Sequence, residues 1–412
     1  MEKKFRLISL IFLVSCVVFY GARFGYFYLK FNTNTSKKVG SSLGLTIQSK
    51  GVTSKGDGVY SNSGELVFKG TNVNNYVMYS NMLFRIVKVN RDNSVMLVTD
   101  STISELMFDN SKSNYTDSNI NDYLENVFYT KLNNQKKYLT NNTICEDIIT
   151  DASNLTCNNK KTSKVGLISI ADYLNSKNED SYLNNTSSFW LYNPKDSNTS
   201  WYISEGNLGN SNIKNIHGVK AVITLKNTVN SIKGNGSKEK PFIIDNNKEI
   251  SFNDHVKLGN DLYQIYDIKD NYYLVNTNLV DDVRNRSVSY YNYKYDIKTP
   301  YSLALYLNNY YLNSLSYKDN LVDCELNVGD YKTSYKDIYS EKIKAKIGLL
   351  SIGDINTNSD LKNYLLLNRH DDIVMSKDGE YSTNKIRNTV CISKDSKLKG
   401  DGTLKSPYVL EG

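Results

Sequence analysis

The segment Ile232–Asp245 (IKGNGSKEKPFIID) returns as Leu398–Gly412 (LKGDGTLKSPYVLEG). Each copy reads apolar, Lys, Gly, Asn or Asp, Gly, Ser or Thr, three open positions, Pro, an aromatic residue and two apolar residues. The Gly-(Asn/Asp)-Gly core supplies positive-φ positions for a tight turn. The proline opens a short extended segment, and its missing N–H suits an edge strand. A phosphate-binding loop does not fit, because neither a helix nor a Lys-Ser/Thr pair follows. The second copy stands last in the sequence, so the first is expected to close an earlier module of the same kind. The expected organisation is module 1 over residues 65–245 and module 2 over residues 246–412.

Collinear matches lie upstream of both copies. Asn75–Val89 (NYVMYSNMLFRIVKV) aligns with Asp254–Ile268 (DHVKLGNDLYQIYDI), and each runs through a polar turn into VMLVT or YYLVN. These patterns predict β-hairpins. Next come Asn119–Leu132 and Ser302–Leu315. Ile120, Tyr123, Leu124, Val127, Phe128 and Leu132 share their spacing with Leu303, Tyr306, Leu307, Tyr310, Tyr311 and Leu315. That spacing is one face of an α-helix, and the stripe is expected to be core. Lys164–Asp172 (KVGLISIAD) and Lys346–Asp354 (KIGLLSIGD) predict a strand followed by a helical turn. Phe189–Asn193, Trp201–Ser204 and Gly218–Ile223 are expected strands, matched by Tyr364–Asn368, Ile373–Ser376 and Lys385–Val390. The order hairpin, helix, variable loop, strands predicts an α+β fold for each module.

The N-terminal sequence is expected to place the modules outside the cell. Lys3, Lys4 and Arg6 precede the apolar run Leu7–Leu29, broken only by Arg23. Residues 7–29 are long enough to span a bilayer if Arg23 snorkels to the interface. The basic flank predicts N-terminus inside and modules outside. Residues 1–31 are therefore expected to be a single-pass membrane anchor or a cleaved signal sequence. Leu13-Val14-Ser15-Cys16 also resembles a lipobox, which would make Cys16 a lipidation site. Residues 32–64, rich in Ser, Asn, Gly, Lys and Thr, are expected to form a flexible tether.

Charge narrows the partners. The net charge of +7 is spread without a dense Lys/Arg cluster, so no nucleic-acid footprint is visible. The expected partners are the lipid bilayer and an extracellular ligand, glycan or protein. A Tyr-rich binding surface and plain codon bias both account for the 33 tyrosines.

Several of these segments resemble an uncharacterised domain family of exported proteins from Gram-positive bacteria and their mollicute relatives. The resemblance rests on Gly70–Val77 (G-x-N-x-N-N-Y-V), Leu83–Ile86, Ser118–Tyr129, Lys164–Ser169 (K-I-G-L-I-S) and Trp190–Pro194 (W-L-x-x-P). Gly218–Ala221 stands at a G-V-R-P position, with Lys220 for Arg and Ala221 for Pro. It covers nearly all of module 1 and, more loosely, module 2, which lacks the Trp and Pro of W-L-x-x-P. The family itself resembles C-type-lectin-like and formylglycine-generating-enzyme-like folds. The resemblance implies no transferable activity, because fold does not carry function.

Candidate chemistry is sparse. Cys145 and Cys157 bracket a loop and are expected to form a disulfide outside the membrane. Cys324 and Cys391 are open to pairing or to remaining free thiols. Asn388–Cys391 faintly resembles a sortase nucleophile strand, but no Arg follows Cys391. Module 1 has no late cysteine, which removes a formylglycine-generating reading. His217, His255 and His370 have no neighbours at metal-ligand spacing. No carboxylate pair is placed for acid–base work. The chain is thus expected to be a non-catalytic surface protein that binds or displays, with no cofactor and no metal. An extracellular enzyme on a lectin-like scaffold and a passive stalk are the alternatives. If module 1 binds a ligand, the expected residues are Trp190, Asn193, Trp201 and Lys220, which combine aromatic area with polar anchors.

Overall fold

The computed structural model describes residues 42–186, 188–244, 250–278, 297–298, 303–327, 342–351, 366–367 and 387–411. The expected span 7–29, Cys16 and the start of the tether lie outside them, as do His370 and Ile373–Ser376. No helix among the described residues is long and apolar enough to cross a membrane. The described residues form a sheet-rich α+β fold with few helices.

The N-terminal half is built on a meander. Strands β1 (Gly58–Asn62) and β2 (Glu65–Lys69) form a hairpin on its edge. Strands β3 (Tyr76–Tyr79), β4 (Met82–Val89) and β5 (Val95–Thr99) follow antiparallel, with Val77 opposite Phe84 and Ile86 opposite Leu97. Ser80 and Asn81 both take positive φ at the β3–β4 turn. A second sheet starts at β6 (Ser104–Met107). Short β7 (Leu139–Thr140) returns to the first sheet, while β8 (Asn142–Cys145) and β9 (Lys160–Ser163) form a separate ribbon. Strands β10 (Ser188–Pro194), β11 (Thr199–Ser204), β12 (Asn207–Asn212) and β13 (Ile216–Val219) complete the second sheet in the order β12-β11-β10-β13-β6. The chain then steps across at Lys220-Ala221 into β14 (Val222–Leu225), which pairs with β5. One core spans Leu43 to Ile244 beneath both sheets.

The repeated segment closes each sheet in the same way. After Pro241, β15 (Phe242–Ile243) pairs parallel with β3. Gly234 and Gly236 have φ of +104° and +89°, and a Cβ on Gly234 would lie 1.9 Å from the Pro241 carbonyl oxygen. At the second copy Gly400 and Gly402 have φ of +135° and +70°. Glycine is required by both the dihedral and the close approach.

The supposed tether is folded from Ser42 onward. Leu43–Gln48 is a helix capped by the Ser42 hydroxyl, and Leu43 and Ile47 are buried in the core. Residues 58–62 are strand β1. The polar composition hid one apolar turn, Leu43 to Ile47, whose spacing presents a single face. Lys50 holds this helix to the closing segment, donating to the Asn235 carbonyl at 2.8 Å.

The predicted helix is present but changes pitch. Asn119–Tyr123 is α-helical and N-capped by Ser118, Leu124–Phe128 is a π turn, and Tyr129–Lys131 is 3₁₀. Ile120, Tyr123, Leu124, Phe128 and Leu132 are buried.

The C-terminal half repeats the meander with β16 (His255–Leu258), β17 (Asp261–Ile268) and β18 (Asn271–Asn276). Short β19 (Leu321–Val322), the ribbon β20 (Cys324–Asn327) with β21 (Lys342–Ala345), and β22 (Ile347–Ser351) with β23 (Leu366–Leu367) follow. Strand β24 (Asn388–Ser393) pairs with β18 and β22. Finally β25 (Leu398–Lys399) pairs with β26 (Tyr408–Leu410), which lies parallel to β16. This half has its own core. Its helix again contains a π turn, Tyr306–Tyr311, flanked by Leu303–Leu305 and Leu312–Ser314. The core stripe is wrong at one position here: Tyr310 is 63% exposed and stacks on Tyr306. A π turn carries more residues per turn than an α-helix, so the i+7 position rotates off the buried face.

The two halves touch through polar groups. Asn81 Nδ2 donates to Asp254 Oδ1 at 2.6 Å, and Asn133 Nδ2 donates to the Ser251 hydroxyl at 2.9 Å. Burial pushes the Asp254 carboxyl up to about 7, against the lowering effect of hydrogen bonds from Ser251 and Asn81. The folded state therefore holds this proton where the unfolded chain has lost it. Stability from this group is full below the ordinary carboxyl value of 3.8 and is lost as pH rises towards about 7. Asp254→Asn is expected to flatten that part of the stability profile, read as urea midpoints from pH ~4 to ~8. An unchanged slope would exclude Asp254 as its source.

Candidate functional site

A cavity of about 680 Å³ opens between the first sheet and the β8–β9 ribbon of module 1. Strands β2 and β4 supply Glu65 and Lys88. The β4–β5 turn supplies Asn90, Arg91 and Asp92, and β8 supplies Asn142 and Thr143. The Cys145–Cys157 bridge closes one wall, with Cα atoms 5.8 Å apart.

A charge cluster sits in the cavity wall. Lys88 Nζ lies 3.2 Å from Asp172 Oδ1 and 3.4 Å from Glu65 Oε2. Burial alone would lower the Lys88 pKa, but the two carboxylates outweigh it and hold it above its ordinary value. Asp172 is fixed in turn by the helix Ile170–Ser176. Ser169 accepts from Asp172 N at 2.9 Å, and its hydroxyl donates to Asp172 Oδ2 at 2.6 Å. This is a reciprocal cap. Beside it Tyr192 is pushed up to about 12, first by burial and then by Asp172. Lys88 stays a cation and Tyr192 stays a neutral phenol at physiological pH. The lining carries Lys88, Arg91 and Lys160 against Glu65, Asp92 and Asp172, so its charges balance.

The four residues expected to bind ligand are all buried. Trp190 is 0% exposed, Trp201 7%, Asn193 5% and Lys220 1%. Trp190 Nε1 donates to the Leu106 carbonyl at 2.9 Å, joining β10 to β6 across β13. Its ring meets Phe108 and His217 edge-on, at 5.5 and 4.6 Å. Trp201 Nε1 donates to the Ile149 carbonyl at 2.6 Å and so anchors the disulfide loop. Asn193 is the one that reaches the cavity, where its Oδ1 accepts from Ile170 N at 2.8 Å. Lys220 lies elsewhere, at the crossing between the two sheets. Trp190, Trp201 and Lys220 thus act as packing and positioning groups in this arrangement.

Lys88, Asp172, Asn142 and Tyr192 were missed. Their signal was present in part: Lys88 is a charge inside the apolar strand LFRIVKV, and Ser169-x-x-Asp172 is a capping box. Nothing in the sequence placed them together.

Other candidates lead nowhere chemically. Cys145, Cys157 and Asp147 come within 4.8 Å of one another, but the two sulfurs are bonded together. Asp147 accepts from Asn159 N at 3.1 Å and also from Asn158 N. His217 is wedged between the rings of Trp190 and Tyr202, with its nitrogens on the Ser188 and Ser211 hydroxyls. Cys324 and Cys391 are paired, with Cα atoms 5.4 Å apart.

Set against protein-family models, curated proteins and solved structures, the chain matches none.

Proposed function

We propose that the chain is a membrane-anchored bacterial surface protein whose module 1 binds a neutral, hydroxyl-rich ligand, a glycan, in the cavity beside the disulfide loop. The carrying observation is the lining. It presents Asn90, Asn141, Thr140 and Thr143 with a phenol at one side, and its charges cancel. Neutral amide and hydroxyl groups in a concave wall match the hydrogen-bonding groups of a sugar. An anionic polymer would call for a surplus of cations. The enzyme reading needs a free acid or base here, and Lys88, Glu65 and Asp172 are engaged with one another.

Two further parts of the reading have physical support. Two disulfides fit an oxidising location outside the membrane. Residues 7–29 would tether the chain with both modules outside. A tandem duplication, on a scaffold akin to C-type-lectin-like folds and to the exported-protein family, is supported by register. The β4–β5 pairing shifts between Ile86 and Lys88, and the β17–β18 pairing shifts between Ile265 and Asp267, the aligned positions. A bulge placed alike in both meanders is hard to obtain from unrelated sequences. Asp267 stands where module 1 has Lys88, so module 2 would not carry the same charge cluster.

Glycan-array binding and calorimetry on the full chain test the assignment. Thr143 is an exposed wall residue of the cavity, and Thr143→Trp is expected to weaken binding ~10-fold or more while the fold persists. Binding that survives this blockage would move the site elsewhere.

A further inference from the structure

Lys220 is a buried amine in an unusual setting. Its Nζ donates to the Asn185 side-chain oxygen at 2.6 Å and to the Asp100 main-chain oxygen at 2.7 Å. The Phe189 ring lies 5.5 Å from the same nitrogen. Asn185 Nδ2 donates to the Asp100 main-chain oxygen at 2.7 Å and lies 3.5 Å from Asp100 Oδ1. The Lys220 amine and the Asp100 carboxylate therefore both lie against the Asn185 carboxamide, brought there by three different parts of the chain.

We infer that Lys220 and Asn185 join through an intramolecular isopeptide bond formed beside the Asp100 carboxylate. Neutral Lys220 Nζ attacks Asn185 Cγ, one bond beyond the oxygen it already touches. The new N–C bond forms and the Cγ–Nδ2 bond breaks. One proton leaves Nζ as the new bond forms and one reaches Nδ2, beside which the Asp100 carboxylate stands at 3.5 Å, and Nδ2 departs as ammonia. Amine and carboxamide become a secondary amide and ammonia, and no oxidant or other reactant is needed.

The surroundings favour each step. Burial lowers the Lys220 pKa to about 7, more than the Asp100 charge restores, and Arg85 lowers it further. The amine can therefore shed its proton near neutral pH. Asp100 Oδ1 also lies 3.3 Å from Arg85 NH1, which fixes the carboxylate beside the Asn185 carboxamide. Asn185 is exposed while Lys220 is buried, so ammonia has a way out and the amine side stays dry. The contacts that hold the reactants together exist before reaction, which supplies the proximity an amide exchange needs.

The product would fasten the segment after Ser176 to the crossing between β13 and β14. The experiment is intact mass spectrometry of the full chain with its disulfides reduced, followed by proteolytic mapping. The expected result is a mass lower by one ammonia and a branched peptide joining Lys220 to Asn185. Asn185→Ala, at an exposed residue, is expected to restore the full sequence mass in a folded protein. Asp100→Ala is expected to slow or abolish the loss. A chain of full mass, or an ammonia loss with Lys220 and Asn185 in separate unbranched peptides, would overturn the bond.

Discussion

Trp190→Ala is expected to destabilise module 1 by about 3–5 kcal/mol, the usual cost of removing a buried indole. The ring is fully buried, packs against Phe108, Tyr202 and His217, and holds the β6 backbone through Leu106. Trp190→Phe keeps much of the packing but strands the Leu106 carbonyl, an expected loss of about 1–3 kcal/mol. Denaturant unfolding of the two variants separates the contributions. A Trp190→Ala protein with unchanged midpoint would mean that the residue is not core and would restore the case for a ligand platform. Loss of binding in this variant therefore says nothing about the ligand unless stability is measured alongside.

The second large effect concerns the disulfides, which enclose loops of very different length. Cys324–Cys391 spans a sequence separation of 67, and Cys145–Cys157 spans 12. By chain entropy the first is expected to contribute about 4 kcal/mol and the second about 3 kcal/mol. Cys391→Ser should therefore lower module 2 more than Cys145→Ser lowers module 1. Cys324 and Cys391 are fully buried in the module 2 core, whereas Cys145 is half-buried and lines the cavity. Two-phase unfolding of each variant, followed by tryptophan fluorescence for module 1 and tyrosine fluorescence for module 2, reads the comparison. The reverse order of effects would show that chain entropy is not what these bridges supply.

Much of the fold was legible because its signals are local. The hairpins at Tyr76–Thr99 and His255–Asn276 show as short apolar runs parted by polar turns. The helix after Ser118 and the glycine turns of the closing segment also announce themselves over a few residues. What escaped is non-local. The cavity draws on residues from Glu65 to Thr224, and no window of sequence contains it. Aromatic composition could not tell a wall from a core: Trp190 and Trp201 carry the same surface area in either place, and only the partners Leu106 and Ile149 decide. Lys220 misled for a related reason. A lysine at the end of an apolar strand reads as a surface anchor, yet here the acceptors Asp100 and Asn185 let its amine remain inside.

The closing segment has a mechanical consequence. Strand β15 runs parallel to β3, and β26 runs parallel to β16. A pull along the chain beyond Ile244 would drag β15 lengthwise past its neighbour instead of peeling it off from one end. The bridging hydrogen bonds then carry the load together. Thus the closing segment also acts as a clasp, most resistant to a pull along the strand.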